Sequence, residues 1–574
     1  MNTQATIPRS EHPNPQFKRA SWLNLNGDWA FEIDNGNSGQ ERSLQSAKKL
    51  SGSILVPFCP ESKLSGVEHK DFMSAVWYRR AFEIPAQEAD KKVLLHFGAV
   101  DYEAFVYING HLAGTHKGGY SSFYFDITDK LNKGTNVVTV CAKDDTRSLL
   151  MPTGKQSESF HSHGCYYTRT TGIWQTVWLE FLPKNHIKSF KLYPDHINGT
   201  LQIQAEVVGS GRFKATATFE GTLMGTCEAL SNGGLACVCL TLAEKHLWEV
   251  GHGRLYDLEI SFEEDKVSSY FGLRNIRLQG MKFLINEKPV FQRLVLDQGF
   301  YPEGVYTAPT EDDLIKDIEL SMVAGFNGAR LHEKVFEPLF LYHCDRLGYI
   351  VWGEYPNWGL DYSNPEALFS VLPEWVEVIN RDFNHPAIIG WCPFNETWDV
   401  DGRKQKDELL KIIYSTTKML DKTRPCIDTS GNYHVITDIY DVHDYNQDPV
   451  TFKEHYDALV EKNELYDRVN DRGSRQQYKG EPVFVSEYGG IQWSVDGNIG
   501  WGYGNAPKTE QDFIERYKGL TDALLDNKSM LGFCYTQLYD VEQEQNGLYT
   551  YDRKPKFDMN IFRKINMRKA AIED

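Results

Sequence analysis

The chain has 574 residues, of which 41% are hydrophobic and 24% charged, and its formal net charge is -18. That length exceeds one ordinary core and points to about three or four structural units, and the composition is that of a globular protein. The acidic balance argues against nucleic acid or an anionic membrane surface as partner, because both require a basic footprint.

The opening stretch "MNTQATIPRSEHPNPQFKRA" has no apolar h-region, and no apolar run of membrane-spanning length occurs anywhere in the chain. The expectation is a cytoplasmic chain without a secretory signal or a membrane span. Ten cysteines are scattered with no Cys-x-x-Cys pair and no His partners at zinc spacing, so they read as reduced thiols and no metal or cofactor is called for. The glycosylation sequon Asn395-Glu396-Thr397 stands beside the residue argued below to be catalytic, which also favours a compartment without N-glycosylation.

From residue 1 to 183 the pattern is one of short strands rich in β-branched and aromatic residues, such as "DWAFEID", "VWYRRAFEI" and "NVVTVCAKD", stopped by Asn, Gly, Pro or Asp clusters. This predicts a β jelly-roll sandwich. Residues 184–273 continue with "LQIQAEVVG", "FKATATFEG" and "LYDLEISFE" at the spacing of an immunoglobulin-like β-sandwich. From 274 to 574 strands alternate with helical patterns, and strand starts are expected near Phe283, Phe326, Tyr349, Ala387, Cys426, Tyr440, Val483 and Leu531. Eight such alternations predict a (β/α)8 TIM barrel, whose catalytic groups come from the carboxyl ends of the strands.

The apolar run "AIIGWCPF" ends in Asn395-Glu396, and "PVFVSEYGG" carries Glu487 at the corresponding place of the seventh strand. In a barrel the fourth and seventh strands face each other across the mouth, so two carboxylates can converge on one bond, as glycoside hydrolysis requires. Two separately ion-paired carboxylates are the bland alternative. A second His is missing from "HEKVF", so a zinc hydrolase is a weaker reading.

The phrases "LNGDWAFEID", "YINGHLAG" and "TTGIWQTVWLE" in the first domain, with "FNGARLHEKVFEPLFLYHCDRLGYIVWGE", "HPAIIGWCPFNETW" and "VSEYGG" in the barrel, resemble glycoside hydrolase family 2 over nearly the whole chain. The resemblance implies a retaining mechanism with Glu396 as general acid/base and Glu487 as nucleophile. Glu396 has to keep a proton near neutral pH, and an apolar wall of Trp391, Phe394 and Trp398 is the surrounding that favours an uncharged acid. Asn395 is expected on the sugar 2-hydroxyl. His332 matches a sugar-binding His of the family, without the usual Ser before it and Pro after it. Tyr445 matches a tyrosine expected beside the nucleophile, and His443 ends the same strand. Further rim candidates for substrate binding are Asp297 with Gln298, Glu354 (which can instead orient Arg330), Tyr535 and Gln537; the loop Trp493 to Asn505, with Trp493, is placed as a cover for the sugar.

The family's β-glucuronidases carry an Asn-x-Lys motif for the substrate carboxylate. The matching region, "EQNGLYTYDRKPK", has Asn546 but Leu548 where the lysine would stand, so a neutral sugar is expected. The wording "YTQLYDVEQEQNGLYTYDR" resembles chains labelled β-galactosidase. The expectation is therefore an exo-β-glycosidase, β-galactosidase first, with β-glucosidase and a noncatalytic carbohydrate-binding protein as rivals. Its partner is a β-glycoside, and a homo-oligomer is left open. The segment Ser159 to Gly172 is the first domain's candidate contribution to the pocket, without the Asp often found in that loop.

Overall fold

The computed structural model of the chain describes residues 7–397, 404–431, 433–466, 475–495, 497 and 500–574. Trp398 and three residues of the Trp493–Asn505 loop lie outside the described residues.

Between Trp22 and Leu182 antiparallel strands form a four-stranded and a six-stranded sheet. The strand Thr135–Lys143 shows why they pack: Val138, Val140 and Ala142 are fully buried at alternate positions, and the strand pairs on one side with Val76–Glu83 and on the other with Glu103–Ile108. A second sandwich runs from His186 to Gly272, with a three-stranded sheet against a four-stranded one. In Thr200–Val208, Leu201, Ile203, Ala205 and Val207 face its core and Gln202, Gln204 and Glu206 do not. This period of two is that of a strand with one wet face. The chain passes from sandwich to sandwich after Leu182, and leaves the second after Gly272.

The third part is a barrel. Parallel strands Ile388–Cys392, Ile350–Glu354, Gly328–Leu331, Gln292–Asp297, Met530–Thr536, Val483–Gly489 and Tyr440–Asp444 follow one another in that spatial order. Between its two ends runs the segment 426–430, which joins the fourth strand through parallel bridges Trp391↔Cys426 and Asn395↔Ser430. The expected first strand near Phe283 is corrected: Lys282–Ile285 belongs to a small antiparallel sheet ahead of the barrel, and the first barrel strand begins at Gln292. Each carries three apolar residues in a row, Phe283 to Ile285 and Leu294 to Leu296, and only the parallel partner tells them apart.

Helices cover the outside. Glu311–Val323 opens with a capping box in which Thr310 and Asp313 satisfy each other's backbone N–H, and it stops before Gly325 at φ 89°. Inside the barrel, Trp352 stacks on Phe484 and donates to Gln292 Oε1 at 2.9 Å, so the floor beneath the mouth is packed. No helix among the described residues is long and apolar enough to cross a membrane. All ten cysteines are free thiols, and Cys237 and Cys239 are exposed.

Candidate active site

Each barrel strand alternates between barrel axis and helix layer, and this parity sorts the rim candidates. Arg330, the third residue of the second strand, points inward and is the hub. It donates to Glu354 Oε1 at 2.5 Å, to the Ser486 carbonyl at 2.8 Å, to Glu487 Oε1 at 3.0 Å and to Asn395 Oδ1 at 3.1 Å. Four strand ends are thereby locked to one buried guanidinium. Glu354 spends its other oxygen on His332 Nδ1 at 3.0 Å, so it holds Arg330 and His332 in place.

Glu487 is 4% exposed. Tyr445 donates to its Oε2 at 2.5 Å, and His443 Nδ1 lies 3.4 Å from the same oxygen. Burial pushes this carboxyl up, yet His443, then Arg330, and the Tyr445 hydroxyl outweigh burial and hold it at about 2. It is therefore ionised, as a nucleophile must be. His332 is itself pushed well below its ordinary value by burial, and next by the neighbouring Lys155.

His443 also meets Glu396 Oε1 at 2.7 Å, while its Nε2 lies 2.8 Å from Ser430 Oγ. Ser430 and Ser486 both donate to the carboxylate of Asp441. Because the Ser430 proton goes to Asp441, His443 Nε2 must donate to Ser430, which leaves Nδ1 to share a proton with Glu396. Against burial, Glu487 and the bond to Glu396 raise the His443 imidazole above its ordinary value. Behind it, Asp428, His434 and Asp441 extend the chain, with His434 Nδ1 2.8 Å from Asp428 Oδ1 and His434 Nε2 3.1 Å from Asp441 Oδ1.

One expected outcome follows for His443→Asn. The largest charge holding Glu487 down disappears, so the acid limb of the kcat/KM profile moves upward by about one pH unit. The sign is that of a depressed carboxylate: its ionised form is lost as pH falls through its pKa, and a higher pKa puts that loss at a higher pH. A profile from pH 2 to 8 measures it, and an unmoved acid limb would contradict the arrangement.

Asn395 is fixed from three sides. Its N–H reaches Asn357 Oδ1 at 2.7 Å, its carbonyl accepts from Asn357 Nδ2 and Trp358 Nε1, and its Oδ1 accepts from Arg330. Its Nδ2 is buried without a partner among the described residues, a donor held ready. Glu396 follows at φ 48°, a left-handed turn that ends the strand.

Several candidates lie elsewhere. Asp297 shares the outward face of the first strand with Arg293 and Val295. Its carboxylate accepts from Tyr539 OH at 2.6 Å and Gly299 N at 2.9 Å, and burial, then the nearby Asp317, push it up to about 6. Tyr535 likewise faces the helices, with its ring 4.8 Å from Tyr517 and 5.6 Å from Tyr488; it is the next residue, Thr536, whose hydroxyl lies 3.0 Å from Tyr445 OH. Trp391 points outward as well, donating to Asp421 and packing on Trp375, so it is no wall for Glu396, whereas Trp398 lies outside the described residues. Trp493 is wedged against Phe513 and Phe557 in the outer core. Its loop sends Trp501 and Tyr503 to the cavity instead, and Tyr503 stacks on Tyr445 at 3.5 Å. Gln537 donates to Asn546 Oδ1 at 2.9 Å, and Gln298 Oε1 and Gln537 Oε1 are buried without partners among the described residues.

Sequence reasoning passed over Ser430, Asp441, Trp358 and Tyr503. Ser430 had a signal, since "CIDTSG" ends the fifth strand just as the other candidates end theirs; Tyr503 lies in the loop expected to cover the sugar, where Trp493 was the residue named.

A cavity of about 730 Å³ opens over Glu396 between Trp358 and Tyr503 of the barrel and Thr146, Arg147 and Tyr166 of the first domain. The segment Ser159 to Gly172 thus supplies Cys165 and Tyr166 to its wall. Ligand atoms of Glu396, His443 and Glu487 lie within 4.8 Å of one another, a spacing a metal ion would accept; here His443 is bonded to one carboxylate and close to the other.

A jelly-roll domain, a second sandwich and a barrel with two carboxylates converging at its mouth define a carbohydrate-active barrel protein of the glycoside hydrolase kind. Residues 23–153 match the profile of the glycosyl hydrolases family 2 sugar binding domain, and residues 276–569 that of the family 2 TIM barrel domain. The chain belongs to glycosyl hydrolase family 2. It is 24% identical to a β-glucuronidase of Streptococcus agalactiae over 95% of this chain and 96% of that one. It is 26% identical to a β-galactosidase of Thermoanaerobacter pseudethanolicus over 74% of this chain, and spans 57% of that protein's length. Among solved structures, an uncultured Clostridium sp. β-glucuronidase superposes with a TM-score of 0.80 at 22% identity, covering 96% of this chain and 99% of the other. At that identity the likeness speaks for the fold.

Proposed function

We propose that the protein is a retaining exo-β-glycosidase that removes a terminal neutral β-linked sugar, with β-galactosides the first choice. The observation that carries this reading is the carboxylate spacing: an oxygen of Glu396 and one of Glu487 lie within 4.8 Å. That is the short separation of a nucleophile and an acid/base, since an inverting pair stands about 6.5 to 9.5 Å apart to admit water. Glu487, ionised and aimed by Arg330 and Tyr445, attacks the anomeric carbon. Glu396 gives its proton to the leaving oxygen, then takes one from water; the bond to His443 lets the proton lean either way between the two steps. Asn395 Nδ2 donates to the 2-hydroxyl, where hydrogen bonds strengthen in the transition state.

The neutral sugar rests on the loop after the last strand. It carries Glu542 and Glu544, its Leu548 is fully buried, and Asn546 donates to Glu544 at 2.9 Å. The second reading is a β-glucuronide, the sugar in the printed names of several relatives; a β-glucoside is a third. A panel of nitrophenyl β-D-galactoside, glucoside and glucuronide, with the released anomer followed by NMR, tests the reading. Cleavage of a neutral glycoside with retention is expected. Preferred cleavage of the glucuronide would overturn the neutral sugar, and inversion would overturn the mechanism.

A further inference from the structure

The first domain lays one segment directly on the barrel mouth. Thr153 and Gly154 donate their N–H groups to the Trp358 carbonyl at 2.8 and 3.2 Å. Gly154 is at φ 58°, and a Cβ there would stand 2.5 Å from the Glu333 carbonyl oxygen; only glycine lets the two backbones approach so closely. This contact carries Lys155 inward. It is 5% exposed, and its Nζ sits 3.5 Å from the centre of the Trp358 ring. The ammonium makes no hydrogen bond or ion pair to any other residue of the described structure.

An ammonium has three donors and no acceptor, and here none of the three meets an oxygen of the described residues. Burial alone would push it down, but Cys165, Glu544, Glu333 and Glu487 around it raise it and keep it charged. Beside it stands the opposite deficiency. Glu333 Oε2 accepts from the Trp358 N–H at 3.0 Å, while Glu333 Oε1 is buried without a partner among the described residues. Glu544 is held by Asn546 and by Tyr167 of the first domain. Unanswered donors and an unanswered acceptor around one nucleophile fit a ligand group that can both accept and donate. A hydroxyl does both. A carboxylate only accepts: it would meet the ammonium, leave Glu333 Oε1 unanswered, and stand against Glu487 and Glu544.

We propose that Lys155 is a specificity-determining residue supplied by the first domain, donating to a ring hydroxyl of the sugar while Glu333 accepts from that hydroxyl or its neighbour. This rests on the glycosidase reading above and names the class of glycone it takes, one with free hydroxyls and no carboxylate at that edge.

The test compares wild type with Lys155→Met on the nitrophenyl glycoside that wild type cleaves best and on its 3-, 4- and 6-deoxy analogues. A site built to bond a hydroxyl rejects the analogue lacking it strongly, so wild type should disfavour one deoxy sugar by at least about a hundredfold in kcat/KM. In Lys155→Met the full sugar should fall by a similar factor while that deoxy sugar hardly changes, bringing the two within about threefold. An equal fall on every analogue would mean that Lys155 only props Trp358, and would overturn the proposal. So would a preferred glucuronide whose turnover alone is lost in the variant, which would make the ammonium a carboxylate receptor. If Lys155→Met does not fold, Lys155→Arg serves: an altered ratio between full and deoxy sugar is expected, and an unchanged ratio overturns the proposal. Because the comparison uses substrates that wild type cleaves with retention, a negative result strikes at Lys155 alone, whereas a wild type that cleaves no β-glycoside fails the glycosidase reading itself.

Discussion

Glu487→Gln is expected to lower kcat by at least about 10⁴-fold on every substrate, as removal of a nucleophile from a cooperating site does. The replacement keeps the size of the side chain and leaves an oxygen for Arg330 Nη1 or Tyr445, now 3.0 and 2.5 Å away, so the fold should tolerate it. What it lacks is the charge that attacks the anomeric carbon. Without that charge the largest attraction raising the His443 imidazole disappears too, and the acid/base partnership weakens along with the nucleophile. Steady-state turnover measures the loss. Incubation of wild type with a 2-deoxy-2-fluoro glycoside should add one sugar to the protein mass, on the peptide that contains Glu487. Turnover of Glu487→Gln within tenfold of wild type, or a label on another peptide, would remove Glu487 from the role.

Glu396→Gln should act unevenly, and the unevenness is the signature. An alkyl glycoside, whose leaving oxygen needs a proton, is expected to slow by about 10³-fold, within the range that positioned proton transfer contributes. A dinitrophenyl glycoside leaves without help, so its first step should survive and the glycosyl enzyme should accumulate, because no base remains to activate water. Azide, which needs no base, should restore turnover and yield the β-glycosyl azide. The geometry supports this division of labour: Glu396 touches His443 at 2.7 Å, while the Arg330 bonds all go to other groups. An equal fall on both substrates, unmoved by azide, would place Glu396 outside the proton transfer.

Much of the architecture was legible because it is written in local periodicity. The period of two in "LQIQAEVVG" became a strand with one buried face, and the capped pattern "EDDLIKDIELSMVAG" became a helix with the expected start and stop. The apolar runs before Glu396 and Glu487 were readable for the same reason, and the family's wording around them did the rest. The first barrel strand was misplaced because Lys282–Ile285 and Gln292–Asp297 each carry a short apolar run; whether such a run pairs antiparallel with a neighbour or parallel with a strand more than thirty residues away is a long-range matter.

Side-chain direction at the rim was the second limit. A strand end names two adjacent residues, and one step along the strand turns the side chain to the opposite layer. Tyr535 was chosen where Thr536 faces the site, and Asp297 where its strand turns that side chain to the helices. The place of two carboxylates at the ends of apolar runs, the absence of a lysine at position 548 and the order of the three domains were determined by the sequence itself, because each is a statement about one local stretch. Only the tertiary structure decided that Arg330 ties four strand ends together, that His443 stands between the two glutamates, and that the first domain lays Lys155 on Trp358 and puts Tyr166 in the cavity wall. These contacts join residues separated by tens to hundreds of positions, and no local pattern records such a meeting.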